Sequence, residues 1–177
     1  TLLYTRRLPS KKTVSGFNED FYVSHYDGKN WQKSYNLKSV NSMNNEGAPT
    51  LSANSQLLIF TICEEFGDYG QGKKGYGSCD LFGRPPNRQQ DIFSSELSEK
   101  GTWSVPKRLS NVINTSGTEE SVFIHPDGKT LYFSSDGHPG MGGLDIYKST
   151  KLDDGTWSKP INLGYPINTF ADENSIL

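Results

Sequence analysis

The sequence predicts an all-β protein, and three observations support this. Only three alanines occur among 177 residues, which is too few for ordinary helices. Aromatic residues make up 12% of the chain, and glycine, proline, asparagine and serine are abundant, as short strands joined by tight turns require. Apolar and polar residues alternate in segments such as 130–134 and 145–148, whereas no long window shows helical spacing.

A repeat with a period of 54 residues organises the chain, because segment 145–175 matches segment 91–121 without a gap. A looser third copy lies upstream, and a short apolar strand recurs at 2–4, 58–60 and 131–133. One aspartate, one tryptophan and one glutamate occur at matching places in the copies. They are Asp20, Asp91 and Asp145, Trp31, Trp103 and Trp157, and Glu46, Glu119 and Glu173.

The last copy is predicted to contain four short strands. Strands near 121–125 and 130–135 are joined by a turn whose Asp-Gly pair supplies positive φ at low cost. A glycine-rich turn leads to a third strand at 145–149, and a second Asp-Gly turn leads to a fourth strand near 157–159. Four antiparallel strands that repeat with this period are typical of a β-propeller blade.

We therefore predict one β-propeller domain over 1–177, with units at approximately 1–45, 46–118 and 119–172 and the start of another at 173–177. At 54 residues per unit the chain holds about three to four four-stranded blades, whereas propellers usually have about four to eight. We expect a fragment of a larger ring, and a first residue that is Thr rather than Met suggests a trimmed or mature chain. Closure by association, or offset closure in which the terminal strands complete one blade, is the alternative.

Composition and charge exclude two classes of partner. The net charge of −2 provides no basic excess, so we expect no nucleic-acid partner. The longest purely apolar run, 57–60, is only four residues long, so we expect no membrane-spanning segment.

The repeat also resembles a known family. The sequence Leu-Tyr-Phe-Ser-Ser-Asp-Gly at 131–137, the glycines after it and Asp-Ile-Tyr at 145–147 resemble the TolB-type, WD-like propeller repeat of bacterial envelope proteins. The continuation at 155–163, Gly-x-Trp-x-x-Pro-x-x-Leu, is similar to a variant in Bacteroidetes-type periplasmic proteins, where it accompanies tetratricopeptide helices and an OmpA-like peptidoglycan-binding domain. The resemblance implies a periplasmic or outer-membrane-associated protein. Peptidoglycan contact would then occur through domains that are not in this chain.

Residues that occur once per unit are expected to serve construction. The three tryptophans are predicted to be structural wedges, with carbohydrate stacking as the alternative. The three aspartates are predicted to accept hydrogen bonds from turn amides. The three glutamates are poor candidates for catalysis, because the pKa of a catalytic acid depends on one specific environment. We therefore predict no catalytic residue.

No cofactor or metal site is predicted. His25, His125 and His138 lie at unrelated places in the units, and no zinc-ligand spacing, nucleophile elbow or phosphate loop occurs. The turn 151–157 is close to a sialidase-type motif but lacks its leading serine. The glycine-rich loop 136–145 offers oxygen ligands for calcium as an alternative, but it lacks dense acidic alternation, so a hairpin turn is favoured.

The middle unit carries an insertion at approximately 64–90, about 19 residues longer than the matching turn of the last unit. Long loops on rigid scaffolds often carry recognition, so Tyr69, Tyr76 and Arg84 are the predicted contact residues. A functionless excursion is the alternative. The third strand of this unit is placed at Asp91, although Asp80 begins a similar motif.

Cys63 and Cys79 are the only two cysteines. Cys63 ends a predicted strand and Cys79 lies in the returning arm, so we predict a disulfide formed in an oxidising compartment. Two independent buried thiols are the alternative.

These observations together predict a non-catalytic propeller scaffold in a bacterial envelope protein, which mediates contact with a protein partner or the cell envelope. Two alternatives stay open: the propeller of a glycan-active hydrolase, and a carbohydrate-binding module that uses exposed aromatic residues.

Overall fold

The computed structural model describes residues 1–11, 16–65 and 88–175, with the backbone alone at 64, 65, 88 and 89. All regular structure in these ranges is β, which confirms the predicted class. The strands are β1 (Leu2–Pro9), β2 (Phe17–Ser24), β3 (Tyr35–Asn36), β4 (Asn45–Leu51), β5 (Leu57–Glu65), β6 (Arg88–Glu96), β7 (Lys107–Arg108), β8 (Glu119–Ile124), β9 (Thr130–Ser135), β10 (Asp145–Thr150) and β11 (Ile161–Asn162).

The strands form three antiparallel sheets, each built from strands that are consecutive along the chain. The first sheet has the order β1-β2-β3, the second β4-β5-β6-β7 and the third β8-β9-β10-β11. The pairs Tyr4–Tyr22, Phe60–Phe93 and Phe133–Tyr147 occupy matching places in the three registers. The described strands do not close into a ring, so the propeller remains a proposal.

The second sheet lies between the other two. Strand β5 is buried on both faces, because alternate side chains contact different neighbours. Leu58 and Phe60 pack with Phe21 of the first sheet, whereas Ile59 packs with Leu131 of the third. Two separate hydrophobic clusters therefore hold three sheets in one stack.

A β-bulge occurs at the same place in the first strand of each four-stranded sheet. The register shifts after Gly47 in β4 and after Glu120 in β8. Ala48 and Ser121 have φ values of 45° and 52°, so each bulge contains a non-glycine residue in the left-handed region.

The fourth strand of the third sheet differs from its predicted position. It is β11, two residues beyond the predicted 157–159, while Trp157 forms only an isolated bridge with Lys151. Pro160 separates the two pairings and has no N–H to donate, so the ladder resumes after it.

The insertion is shorter than the predicted segment 64–90, because β5 extends to Glu65 and β6 begins at Arg88. Both ends of the segment 64–90 are therefore paired strand. Asp91 lies in β6 opposite Ile62, which agrees with the register that the sequence favoured.

Candidate functional site

One polar arrangement recurs at the end of every sheet, and its central residue is an asparagine. Asn114 Oδ1 accepts a hydrogen bond of 2.7 Å from Ile92 N, and its Nδ2 donates to Ile92 O at 2.9 Å. Asn41 binds the backbone of Phe21 in the same way, and Asn168 binds that of Ile146. Sequence reasoning assigned no role to these asparagines, although their recurrence after an aliphatic residue was a usable signal.

The repeated glutamates complete the same arrangement. Glu119 Oε2 accepts a hydrogen bond of 2.9 Å from Thr115 N, and Oε1 accepts one of 2.7 Å from the Thr115 hydroxyl. Glu173 accepts from Thr169 in the same manner, whereas Glu46 accepts both hydrogen bonds from Ser42 on Oε1. We call each set of Asn, Ser or Thr and Glu a joint, because it ties the end of one sheet to the first residue of the next repeat.

The repeated aspartates bind different partners. Asp145 Oδ2 accepts hydrogen bonds from Met141 N and Gly142 N, as predicted for a turn-pinning carboxylate. Asp20 accepts from the side chains of Asn18 and Asn36, and Asp91 Oδ2 lies 2.5 Å from Arg108 Nε.

The three tryptophans each form an isolated bridge but differ in exposure. Trp157 is 8% exposed and packs in the cluster between the second and third sheets. Trp103 packs against the cluster between the first and second sheets. Trp31 belongs to the first sheet, which no described sheet precedes, and it is 55% exposed. The buried ring of Trp157 and the partly buried ring of Trp103 therefore each pack toward the preceding sheet.

Two neighbouring hollows form a groove between the second and third sheets, which we call the intersheet groove. Their volumes are about 480 Å³ and about 280 Å³, and Leu57, Glu96 and Lys151 line both of them. The larger hollow is also lined by Pro126 and Asp127 of the β8–β9 turn.

The smaller hollow has an apolar base and a charged rim. Trp157 and Leu109 line it together with Lys107 and Arg108. The side chains of Trp157 and Leu109 are buried, whereas Lys107 is exposed. The intersheet groove therefore combines apolar surface with charges of both signs, and sequence reasoning did not identify it, since its residues come from separate repeats.

Two neighbouring carboxyls, the buried Glu46 and the half-buried Asp20, have raised pKa values. Burial raises the pKa of Glu46 to about 8; the hydrogen bonds from Ser42 oppose this and the nearby Asp20 adds to it. Burial also raises the pKa of Asp20, against the effect of its hydrogen bonds from Asn36 and Asn18. In the intersheet groove, hydrogen bonds from Lys129 N and the Thr130 hydroxyl hold the pKa of Asp127 well below its usual range.

The carboxylates of the glycine-rich loop 136–145 accept hydrogen bonds from backbone N–H groups. Asp136 Oδ1 accepts a hydrogen bond of 2.6 Å from Thr118 N. A Cβ at Gly140 would lie 1.7 Å from Asp145 Oδ2, so close packing explains this glycine. Within the described ranges, no group of three or more acidic, histidine or cysteine residues is placed to hold a metal ion.

Several predicted residues lie outside the described part of the chain. They are Tyr69, Tyr76, Arg84 and Cys79. Cys63 is 5% exposed on β5, opposite Asn45 and Gln90, and its pairing with Cys79 stays a prediction. The described residues contain no apolar helix of membrane-spanning length.

Comparison with family models gives no match, and comparison with curated proteins gives none. Among solved structures, the chain is similar to TolB from Acinetobacter baumannii, with 16% sequence identity and a TM-score of 0.32. The alignment covers 89% of this chain and 40% of the TolB chain, so the chain spans less than half the length of that structure.

Proposed function

We propose that the chain forms part of a β-propeller that serves as a non-catalytic scaffold and interaction domain in a periplasmic or outer-membrane-associated protein. The observation that carries this proposal is the joint, which recurs with the same hydrogen bonds at Asn41, Asn114 and Asn168. We infer that a recurring joint of this kind turns each sheet by a similar amount relative to the last, and repeated rotation about one axis generates a ring.

The use of the repeated carboxylates supports a structural role. Glu46, Glu119 and Glu173 each accept hydrogen bonds from the Ser or Thr of their own joint, and Asp145 closes its own turn. These carboxylates stabilise the scaffold, and the intersheet groove is the surface that we assign to recognition.

The shape and charge of the intersheet groove suit a segment of another protein. An extended peptide offers apolar side chains for Leu57 and Trp157 and charged side chains for Glu96 and Lys151. Leu57 and Glu96 lie in paired strands and Lys151 is bridged to Trp157, so a partner meets a preformed site.

Site-specific photocrosslinking in cells of the bacterium that makes the protein tests this function. A photoreactive residue at Lys151 should give a discrete protein adduct, whereas one at Lys33, exposed in the segment between β2 and β3, should not. Glu96→Lys, which reverses a charge of the intersheet groove, should reduce the yield of that adduct. Equal adducts at both positions, or no adduct at Lys151, would contradict the interaction role.

A carbohydrate-binding function is the second candidate, and exposed aromatic rings favour it. Tyr26 and Trp31 are 52% and 55% exposed, and their ring centroids lie 5.4 Å apart. Exposed neighbouring rings of this kind can stack on sugars. Cell-wall glycans should then quench the tryptophan fluorescence of the protein, and Trp31→Ala should abolish the quenching; no quenching would remove this candidate.

A further inference from the structure

The intersheet groove lies between two four-stranded sheets, and part of its lining recurs in every repeat. Leu109 and Trp157 form the apolar base of the smaller hollow. The matching positions of the other repeats hold the same residue types: Leu37 and Leu163, and Trp31 and Trp103. Because these residues recur where no such hollow is described, their role is construction of the stack.

The charged residues of the intersheet groove do not recur, and Lys151 shows this most directly. Lys151 forms the isolated bridge with Trp157. The residues that form the same bridge in the other two sheets are Leu97 and Tyr26. A lysine is therefore not needed to make this bridge, and its charge is specific to the third sheet.

Lys107 and Glu96 are also specific to one repeat. Lys107 is the first residue of β7. The residues that begin β3 and β11 are Tyr35 and Ile161. Glu96 immediately precedes the bridged residue of its sheet, and the other two sheets have His25 and Thr150 at this place. Construction of the sheets requires none of these charges, so we assign them to recognition.

The two hollows of the intersheet groove carry opposite charge. Lys107, Arg108 and Lys151 line the smaller hollow, together with the single carboxylate of Glu96. The larger hollow is lined by the carboxylates of Glu96 and Asp127, with Lys151 as its one cation. The intersheet groove is therefore basic at one end and acidic at the other.

Two of the three cations at the basic end are available to a ligand. Arg108 is bound within the second sheet, because its Nε lies 2.5 Å from Asp91 Oδ2. Neither Lys107 nor Lys151 has an ion-pair partner in the part of the chain that the structure describes. Lys107 is exposed and Lys151 is half-buried, so an anion in the smaller hollow can reach both lysines.

The acidic end presents a carboxylate whose position is fixed. Asp127 Oδ1 accepts hydrogen bonds of 2.8 Å from Lys129 N and from Thr130 N. The side chain of Asp127 is nevertheless 42% exposed, and His125 Nδ1 lies 3.1 Å from Oδ2. A cation in the larger hollow would therefore meet a carboxylate that the turn already holds in place.

We propose that the occupant of the intersheet groove is a protein segment that carries an acidic, an apolar and a basic side chain in this order along the groove. The acidic side chain binds Lys107 and Lys151, the apolar one contacts Leu57 and Trp157, and the basic one binds Asp127. This inference rests on the proposed interaction function and adds the chemistry of the partner. Opposite charges at the two ends fix the direction in which the segment lies.

Photocrosslinking from the two ends, in cells of the bacterium that makes the protein, identifies the segment. Thr156 lines only the smaller hollow and Asn54 only the larger one, so a photoreactive residue at each reports on one end. Mass spectrometry of the adducts should locate both crosslinks in one segment of one protein. An aspartate or glutamate should lie near the Thr156 crosslink, and a lysine or arginine near the Asn54 crosslink.

Charge reversal then tests the pairing. Lys107→Glu should lower the yield of the Thr156 adduct about five- to tenfold, because repulsion replaces attraction, and Lys107→Gln should lower it less. Lys100→Glu is the matched control, since Lys100 is exposed between β6 and β7 and lines neither hollow; the yield should not change. Replacement of the partner's acidic residue by lysine should restore the adduct with Lys107→Glu.

The outcomes separate this inference from the proposed function. Absence of an adduct at both positions would overturn the interaction function and this inference with it. Adducts of equal yield in the wild type, Lys107→Gln and Lys107→Glu would overturn the charge pattern alone, and so would a partner segment without an acidic residue near the Thr156 crosslink. Thermal unfolding verifies that the variants fold, and Lys107→Gln provides the comparison if Lys107→Glu does not.

Discussion

Glu119 in β8 and Ser135 in β9 lie opposite each other and share a hydrogen bond of 2.7 Å. Glu46 has the same place in the second sheet, but it lies opposite Ile62, which has no group to donate. Glu46 Oε2 is buried and has no hydrogen-bond partner among the described residues. Ile62 thus stands where the third sheet has Ser135, and one oxygen of the buried Glu46 carboxyl lacks a hydrogen bond. The pKa of Glu46 rises to about 8.

This raised pKa predicts that stability falls as the pH rises. The ordinary pKa of glutamate is 4.5, so the folded protein holds the proton of Glu46 more tightly than the unfolded chain does. Stability is therefore greatest below about pH 4.5 as far as this group is concerned, and decreases until the pH passes about 8. The total loss should be about 2 to 4 kcal/mol, measured by urea unfolding across this range.

Glu46→Gln isolates the contribution of this carboxyl. Glutamine has no proton to lose, so the variant should lose the stability decrease between pH 5 and 9 and exceed the wild type at the upper end. Glu99→Gln is the control, because Glu99 is exposed and should retain the wild-type profile. If Glu46→Gln and the wild type change in parallel, Glu46 is not the responsible group.

Removal of an asparagine from a joint should destabilise the fold strongly. Asn114→Ala leaves the buried N–H and C=O of Ile92 without their side-chain partner, and it also removes a hydrogen bond to Leu109 O. We expect a loss of about 2 to 4 kcal/mol in the free energy of unfolding. Asn111→Ala changes an exposed residue three positions earlier and should cost less than about 1 kcal/mol, and similar losses for both variants would rule out a special role for the joint.

The tryptophans should contribute to stability according to the sheet that precedes them. Trp157→Ala removes a ring that is 8% exposed in a hydrophobic cluster, so the expected loss is about 3 to 5 kcal/mol. Trp31→Ala removes a ring that is 55% exposed and should cost less than about 1 kcal/mol. Thermal unfolding of both variants measures these losses of stability. Equal losses would contradict the prediction that the tryptophans are structural wedges.

Cys63 and Cys79 are predicted to form a disulfide bond. Treatment of the denatured, non-reduced protein with an alkylating reagent should modify no thiol, and reduction should make both Cys63 and Cys79 reactive. Mass spectrometry measures the number of modified sites. Two modified thiols without reduction would establish the alternative of independent cysteines.

Local pattern predicted much of this architecture. The Asp-Gly turn before Thr130 and the alternation that follows it predict β9 at its observed bounds, because turn chemistry and side-chain period act within a few residues. The predicted position of the fourth strand, at 157–159, was wrong. Proline interrupts the pairing there, and the register of the strand depends on its pairing with β10. The intersheet groove was also beyond prediction, since Leu57 and Lys151 are far apart in sequence and meet only when sheets pack.

The sequence by itself determined the β class, the period of the repeat and the places at which aspartate, glutamate and tryptophan recur, since these follow from residue preferences over short distances. Tertiary structure alone decided how equivalent residues differ: which tryptophan is covered and which glutamate lacks a donor. Those outcomes depend on which strand or sheet lies alongside, and a residue's identity does not encode its neighbours across the stack.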